Sequence, residues 1–197
     1  MSPNFLVSLE TKYFYLQEIE LDDLQSVIKL RLNKKNNFLS PISPSIDDQR
    51  NYYENYKQKR LKNSEIYYKV TEKKNSKKII GLVRLTEIDQ LEKFSWESLI
   101  IADDAPPYAS IDVIFSIYKI GFEILKKKVC GPWEIPIKAH HVYRLHKKMG
   151  MAIEINKNIN CYNMIVTKDS YDSKSEFYKK LGYGDLKLHS TLFLYKL

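Results

Sequence analysis

The chain has 197 residues, 44% hydrophobic and 13% aromatic, enough for one domain to bury a core without disulfides or a structural metal. Lysine and arginine exceed aspartate and glutamate by 32 − 24 = 8, which suits a phosphorylated ligand; the basic residues are scattered, however, and no recognition-helix, zinc-finger or RNP-type pattern accompanies them, so no nucleic-acid partner is expected. No apolar run approaches the roughly 20 residues of a membrane span and no signal-peptide pattern opens the chain, so the expectation is a cytoplasmic protein without a membrane partner.

Cys130 and Cys161 lack metal-ligand spacing and read as small buried hydrophobes in a reducing compartment. The run 6–19 has strand character, and Asp22 or Asp23 is placed to cap a helix whose apolar residues Leu24, Val27, Ile28 and Leu32 recur at helical spacing. Pro41 and Pro44 then break the chain. Ser45, followed by Asp48, opens a second helix to about Asn63 with Tyr52, Tyr53 and Tyr56 along one side. Three strand-like runs follow at 65–72, 79–88 and 94–101, a meander that predicts the antiparallel half of a mixed sheet.

Residues 110–128 carry Val113, Ile117, Ile120 and Ile124 beside Ile114, Tyr118, Gly121 and Leu125, two adjacent rows that make one broad apolar helix face. A strand at 133–138, a short helix at 143–151 and strands at 152–157 and 162–168 complete the order. A second helix-then-glycine segment, Phe177-Tyr178-Lys179-Lys180-Leu181-Gly182-Tyr183, is expected to be a surface helix packed by Phe177 and Leu181, because a single strand-like run, 189–197, follows it. No repeat or long linker interrupts the order, so one domain over 1–197 is expected, with a C-terminal extension at 170–197. The end of the chain holds Leu192, Phe193, Leu194 and Tyr195, which reads as an added strand able to pair with a second subunit; a homodimer is the expectation.

The stretch His146-Lys147-Lys148-Met149-Gly150-Met151, a short helix closed by glycine and followed by two strands, together with the order β-α-α-β-β-β-α-β-α-β-β, resembles the GCN5-related N-acetyltransferase (GNAT) superfamily. Leu32-Asn33-Lys34-Lys35, Phe38-Leu39-Ser40-Pro41, Gly81-Leu82-Val83-Arg84-Leu85, Ser95-Trp96, Ala105-Pro106-Pro107 and Leu145-His146-Lys147 are similar to a subgroup met with bacterial surface-polysaccharide amino-sugar biosynthesis. The resemblance implies an α/β (α+β) fold with a mixed, mostly antiparallel central sheet of about seven strands flanked by helices. It implies acetyl-CoA as co-substrate, no metal, and a small-molecule amine acceptor: most directly the primary amine of a nucleotide-linked amino sugar. The alternatives are a protein N-terminal amine, as in the ribosomal-protein branch, and a non-catalytic binding module derived from the enzyme.

By the same resemblance, Ile101 at a strand end and the turn Pro107-Tyr108-Ala109-Ser110-Ile111 opening the long helix are the cofactor-binding residues. Backbone N–H groups at a helix N-terminus converge there on an anion. This chain departs from the family's Gly-rich turn, having no glycine between Ser98 and Ile120, and Asp103, Asp104 and Asp112 flank the turn. His146 stands where the family has a tyrosine that donates to the leaving thiolate, and Ala139 where it has an asparagine. An imidazolium can donate as a phenol does, which makes His146 the candidate acid, and Glu97 is the candidate base. Strand alternation sets Trp96 and Ser98 on the face opposite Glu97. Arg50, Tyr53, Glu87 and Trp96 are the expected acceptor-binding residues.

Overall fold

The computed structural model describes residues 8–32, 41–157 and 160–188. Within them the chain forms β1 (Ser8–Glu10), β2 (Phe14–Glu18), α1 (Leu24–Leu32), α2 (Ile46–Leu61), β3 (Glu65–Glu72), β4 (Asn75–Thr86), β5 (Lys93–Ile101) and α3 (Ala109–Lys119). The second half adds β6 (Val129–Pro136), α4 (His140–Met149), β7 (Ile153–Lys157), β8 (Cys161–Thr167), α5 (Lys168–Lys180) and β9 (Lys187–Leu188). The sheet runs β7-β8-β6-β5-β4-β3-β2-β1-β9. All its pairings are antiparallel except β5 with β6. This is the mixed, helix-flanked sheet expected, with nine described strands in place of seven.

Two local events account for the difference. The expected strand at 6–19 folds into a hairpin, because Thr11 Oγ1 accepts the N–H groups of Tyr13 (3.1 Å) and Phe14 (2.9 Å) and turns the chain between β1 and β2. The short β9 then pairs with β1. The rest of the expected last strand, 189–197, and the stretch 33–40 that carries part of the subgroup resemblance lie outside the described residues.

Helix starts follow the sequence closely. Asp23 accepts the N–H of Glu20 (2.8 Å) ahead of α1, and Ser45 accepts the N–H of Asp48 (3.4 Å) at the start of α2. The apolar rows of 110–128 form α3, but its last turn, Ile120–Ile124, widens to π-helical register with Leu125 N–H donating to Ile120 O (2.8 Å). There Gly121 lies against the Phe94 ring; a Cβ would come within 2.0 Å of it. The helix therefore stops early and β6 begins at Val129, ahead of the expected 133.

The two sheet faces carry separate cores. On one, Phe14, Tyr68, Leu85, Phe94 and Trp96 pack with Val113, Phe115 and Tyr118 of α3 and with Met149. On the other, Ile19, Tyr67, Leu82 and Ile100 pack with Val27 of α1 and Tyr56 of α2. The sequence reading of α5 is corrected here: Phe177 and Leu181 are 60% and 51% exposed, and Tyr171, Ser175 and Tyr178 face the core instead. Tyr171 stacks on Phe115 and Phe122 (centroids 5.5 and 5.1 Å), and the Tyr178 hydroxyl donates to Met149 O (3.2 Å). Aromatic partners on α3 outweigh the smaller apolar ridge of Phe177 and Leu181.

Candidate active site

β5 and β6 pair in parallel only at Lys93–Val129 and Phe94–Cys130, after which β5 continues beside β4 and β6 beside β8. The sequence causes this fork. Gly131 adopts φ 98°, where a Cβ would crowd Met164 O (3.1 Å), and Pro132 has no N–H to give to a ladder. From Ser95 onward the β6-facing edge of β5 has no strand partner among the described residues.

On β5 itself, Glu97 faces Arg84 and Ile100 faces Leu82, so Ser98 and Leu99 together oppose Val83 in a β-bulge with Ser98 at φ 55°. The bulge resets the alternation. Trp96 does lie opposite Glu97 as the sequence suggested, but Ser98 occupies the bulge and Leu99 takes the place in the Trp96 layer. A bulge beside an unpaired edge re-aims backbone groups into the fork, where they are free to meet an extended ligand.

Below the fork, the Trp96 and Trp133 rings lie 5.4 Å apart. His146 of α4 lies against both, stacked on Trp133 (5.6 Å, 21°) and 5.5 Å from Trp96. It is 3% exposed, and burial pushes its imidazole down to about 4. The ring is therefore neutral at pH 7 rather than the imidazolium that sequence reasoning used. Its Nδ1 lies 3.4 Å from the hydroxyl of the fully buried Tyr118, whose proton burial holds on well above the ordinary tyrosine value. The indole N–H of Trp133 is buried with no acceptor among the described residues.

The turn after β5 leads directly into α3. Ala109 N–H donates to Pro106 O (2.9 Å) and Asp112 N–H to Tyr108 O (3.0 Å). The amides of Ser110 and Ile111 between them have no protein acceptor among the described residues, so the helix start keeps two donors for an anion without a glycine. Tyr108 leans on Tyr13 (4.6 Å) and Phe14 (5.8 Å) of the β1–β2 hairpin. Asp104 pairs with Lys78 (2.6 Å), and Asp112, wholly buried, accepts from Thr11 Oγ1 (2.6 Å) and Gly184 N–H (3.1 Å). Burial pushes the Asp112 carboxyl above the usual range, against the pull of those two donors. Ile101 ends β5 ahead of the turn, and Pro107 precedes the Tyr108 N-cap of α3.

The opposite face of the bulge carries charges. Arg84 donates to Glu97 (2.8 Å), Glu65 (3.3 Å) and the Tyr52 hydroxyl (2.6 Å), linking β3, β4, β5 and α2. Glu65 is nearly buried at 5% exposure while Glu97 is 54% exposed, so Glu97 presents a held carboxylate at an open rim. Among the expected acceptor residues, Tyr53 is half-buried beside Tyr56 (5.9 Å), with Glu18 rather than Arg84 as its nearest charged influence. Arg50 instead pairs with Asp47 on the exposed side of α2, Glu87 pairs with Lys93 at the far end of β4, and Trp96 belongs to the His146 layer. Sequence reasoning missed Arg84, Glu65 and Tyr52 as one group; Arg84, a lone charge inside the apolar run 79–85, was the available signal.

No protein-family model matches the chain, and no curated protein matches it. Solved structures do. FdhC, a nucleotide-linked sugar GNAT, superposes with a TM-score of 0.77 at 25% identity, covering 89% of this chain and 98% of its own. The spermidine N-acetyltransferase of Vibrio cholerae, in complex with CoA and spermine, superposes with a TM-score of 0.64 at 21% identity, covering 80% of this chain and 97% of its own.

Proposed function

Proceeding from a GCN5-related N-acetyltransferase, we propose that this chain transfers the acetyl group of acetyl-CoA to the primary amine of a nucleotide-linked amino sugar. The observation that carries the transfer is the fork: an unpaired, bulged β5 edge that leads to two free amides at the start of α3. An extended thiol arm lies along such an edge and its diphosphate meets the amides. Ser110 and Ile111 donate to that diphosphate, the β5 edge beyond the bulge pairs with the arm, and Ile101, Pro107 and Tyr108 border the site.

The thioester and the amine approach from opposite faces of β5. The amine nitrogen forms a bond to the thioester carbon, the carbon–sulfur bond breaks, and the electron pair leaves on sulfur. The proton lost by the amine goes to Glu97 or to water at its open rim. A neutral imidazole does not give its proton up, so His146 acts as a hydrogen-bond donor to sulfur rather than as a proton source. The sugar assignment is supported by the likeness to FdhC over 89% of the chain and by the surplus of eight positive charges, which favours an anionic nucleotide over a polycation.

Release of CoA thiol from acetyl-CoA, followed with a nucleoside-diphosphate amino sugar, spermidine and a peptide with a free N-terminus as acceptors, tests this. Turnover dominated by the nucleotide-linked sugar is expected; turnover of the peptide or of spermidine alone overturns the acceptor assignment.

A further inference from the structure

We propose that Tyr118 is a positioning residue that fixes His146 in the tautomer with its single N–H on Nε2. The inference rests on the reading of the fork as the thioester site, and concerns the group that meets the sulfur there.

Tyr118 lies on α3 and His146 on α4, 28 residues apart, and their side chains meet in the core with the hydroxyl 3.4 Å from Nδ1. Tyr118 is 0% exposed and His146 3%. Two arrangements fit that distance. If Nδ1 carried the proton and donated to the phenol oxygen, the phenol O–H would itself lack an acceptor among the described residues, since the other side chain at the hydroxyl, the Trp96 indole N–H, is a donor as well; a buried donor in that state is costly. If the phenol donates to Nδ1, its proton is satisfied and the ring's own proton stays on Nε2. The second arrangement leaves one fewer buried group unmet.

The packing around the ring preserves this choice. Trp133 covers one side of the imidazole at 21° and Trp96 lies against it at 38°, and the two indoles also touch each other, so the ring is wedged against both. Tyr118 is held in turn by Trp96, Trp133 and Phe122 (6.3, 6.3 and 6.2 Å). The layer is thus a fixed stack in which a single hydroxyl decides which imidazole nitrogen donates. An N–H aimed by its neighbours costs no reorganisation when charge develops on sulfur.

The test is nitrogen-15 NMR of the histidine ring in the wild type and in Tyr118→Phe, with the His146 signals assigned by their loss in His146→Gln. The wild type is expected to show a neutral ring with Nδ1 unprotonated and Nε2 protonated, and Tyr118→Phe a mixture of the two tautomers. In the acetyl-CoA assay, Tyr118→Phe is expected to lower kcat about fivefold to tenfold, the value of one hydrogen bond, with KM for acetyl-CoA unchanged. A wild-type ring protonated at Nδ1, or a tautomer unaltered in Tyr118→Phe, overturns the proposal. The spectrum needs no turnover, so failure of every acceptor would defeat the proposed function and leave the tautomer result to stand or fall alone.

Discussion

Acid should destabilise this protein through His146, by an amount that follows from its burial. The imidazole is held at about 4 in the folded chain against 6.5 for the free side chain, with burial as the cause. The unfolded state therefore binds a proton that the folded state refuses between those values. Stability from this residue is complete above pH 6.5 and is lost as pH falls towards 4. The difference between the two values, at about 1.4 kcal/mol per unit, makes the loss about 3 kcal/mol. In a domain of this size that corresponds to a fall in Tm of about 6–12 °C. His146→Phe keeps an aromatic ring against Trp96 and Trp133 and removes the titration. Urea unfolding of both proteins at a series of pH values isolates the effect, because every other titrating group cancels in the difference. The wild type should lose stability relative to the variant across that window alone. A difference that stays flat from neutral pH to pH 4 would refute the reasoning, and so would a wild type that gains on acidification.

Other perturbations address the fork and the charged rim. Gly121→Ala places a methyl inside the Phe94 ring, 2.0 Å from its nearest atom, and should cost about 1–3 kcal/mol in urea unfolding, partly recovered by Phe94→Leu. Arg84→Met leaves the nearly buried Glu65 without its inner partner and should cost about 3 kcal/mol, while adding Glu65→Gln should return most of it. Thr11→Val removes one of the two donors to the buried Asp112 together with the acceptor of the Tyr13 and Phe14 amides, and should lower stability by about 2–4 kcal/mol in thermal unfolding.

The order of elements could be read from the sequence because it depends on local periodicity. β3 spans 65–72 as the strand-like run placed it, and α2 starts at its Ser45 cap. Three features escaped for reasons that local patterns do not encode. The Thr11 turn depends on one hydroxyl serving two amides inside a run of strand-forming residues. The bulge at Ser98 is a mismatch between β4 and β5 and has no signature in β5 alone. The packing side of α5 was decided by Phe115 and Phe122, distant in sequence, against a Phe177–Leu181 pair that looked equally suitable in isolation.

The site shows the same division. His146 and the turn 107–111 were singled out through their place in a motif, and the structure sets them beside an aromatic layer and at a helix start. The charge state of His146 could not be read that way, because it depends on the surrounding tertiary shell. The Arg84 group joins residues from three strands and a helix, and only the folded register brings them within 3.3 Å of one guanidinium. Arg50 and Glu87 were expected at the acceptor pocket from their elements' place in the fold, on α2 and at the end of β4; in the structure Arg50 pairs with Asp47 and Glu87 with Lys93.

Calorimetric titration with acetyl-CoA, beside a Ser110→Pro variant, tests the reading of the fork most directly. Proline is tolerated in the first turn of a helix and deletes one of the two free amides without filling the fork. Saturable one-to-one binding with a Kd of about micromolar order, weakened about tenfold in Ser110→Pro, is the predicted result. Absence of binding up to about millimolar acetyl-CoA by the folded wild type would contradict the account.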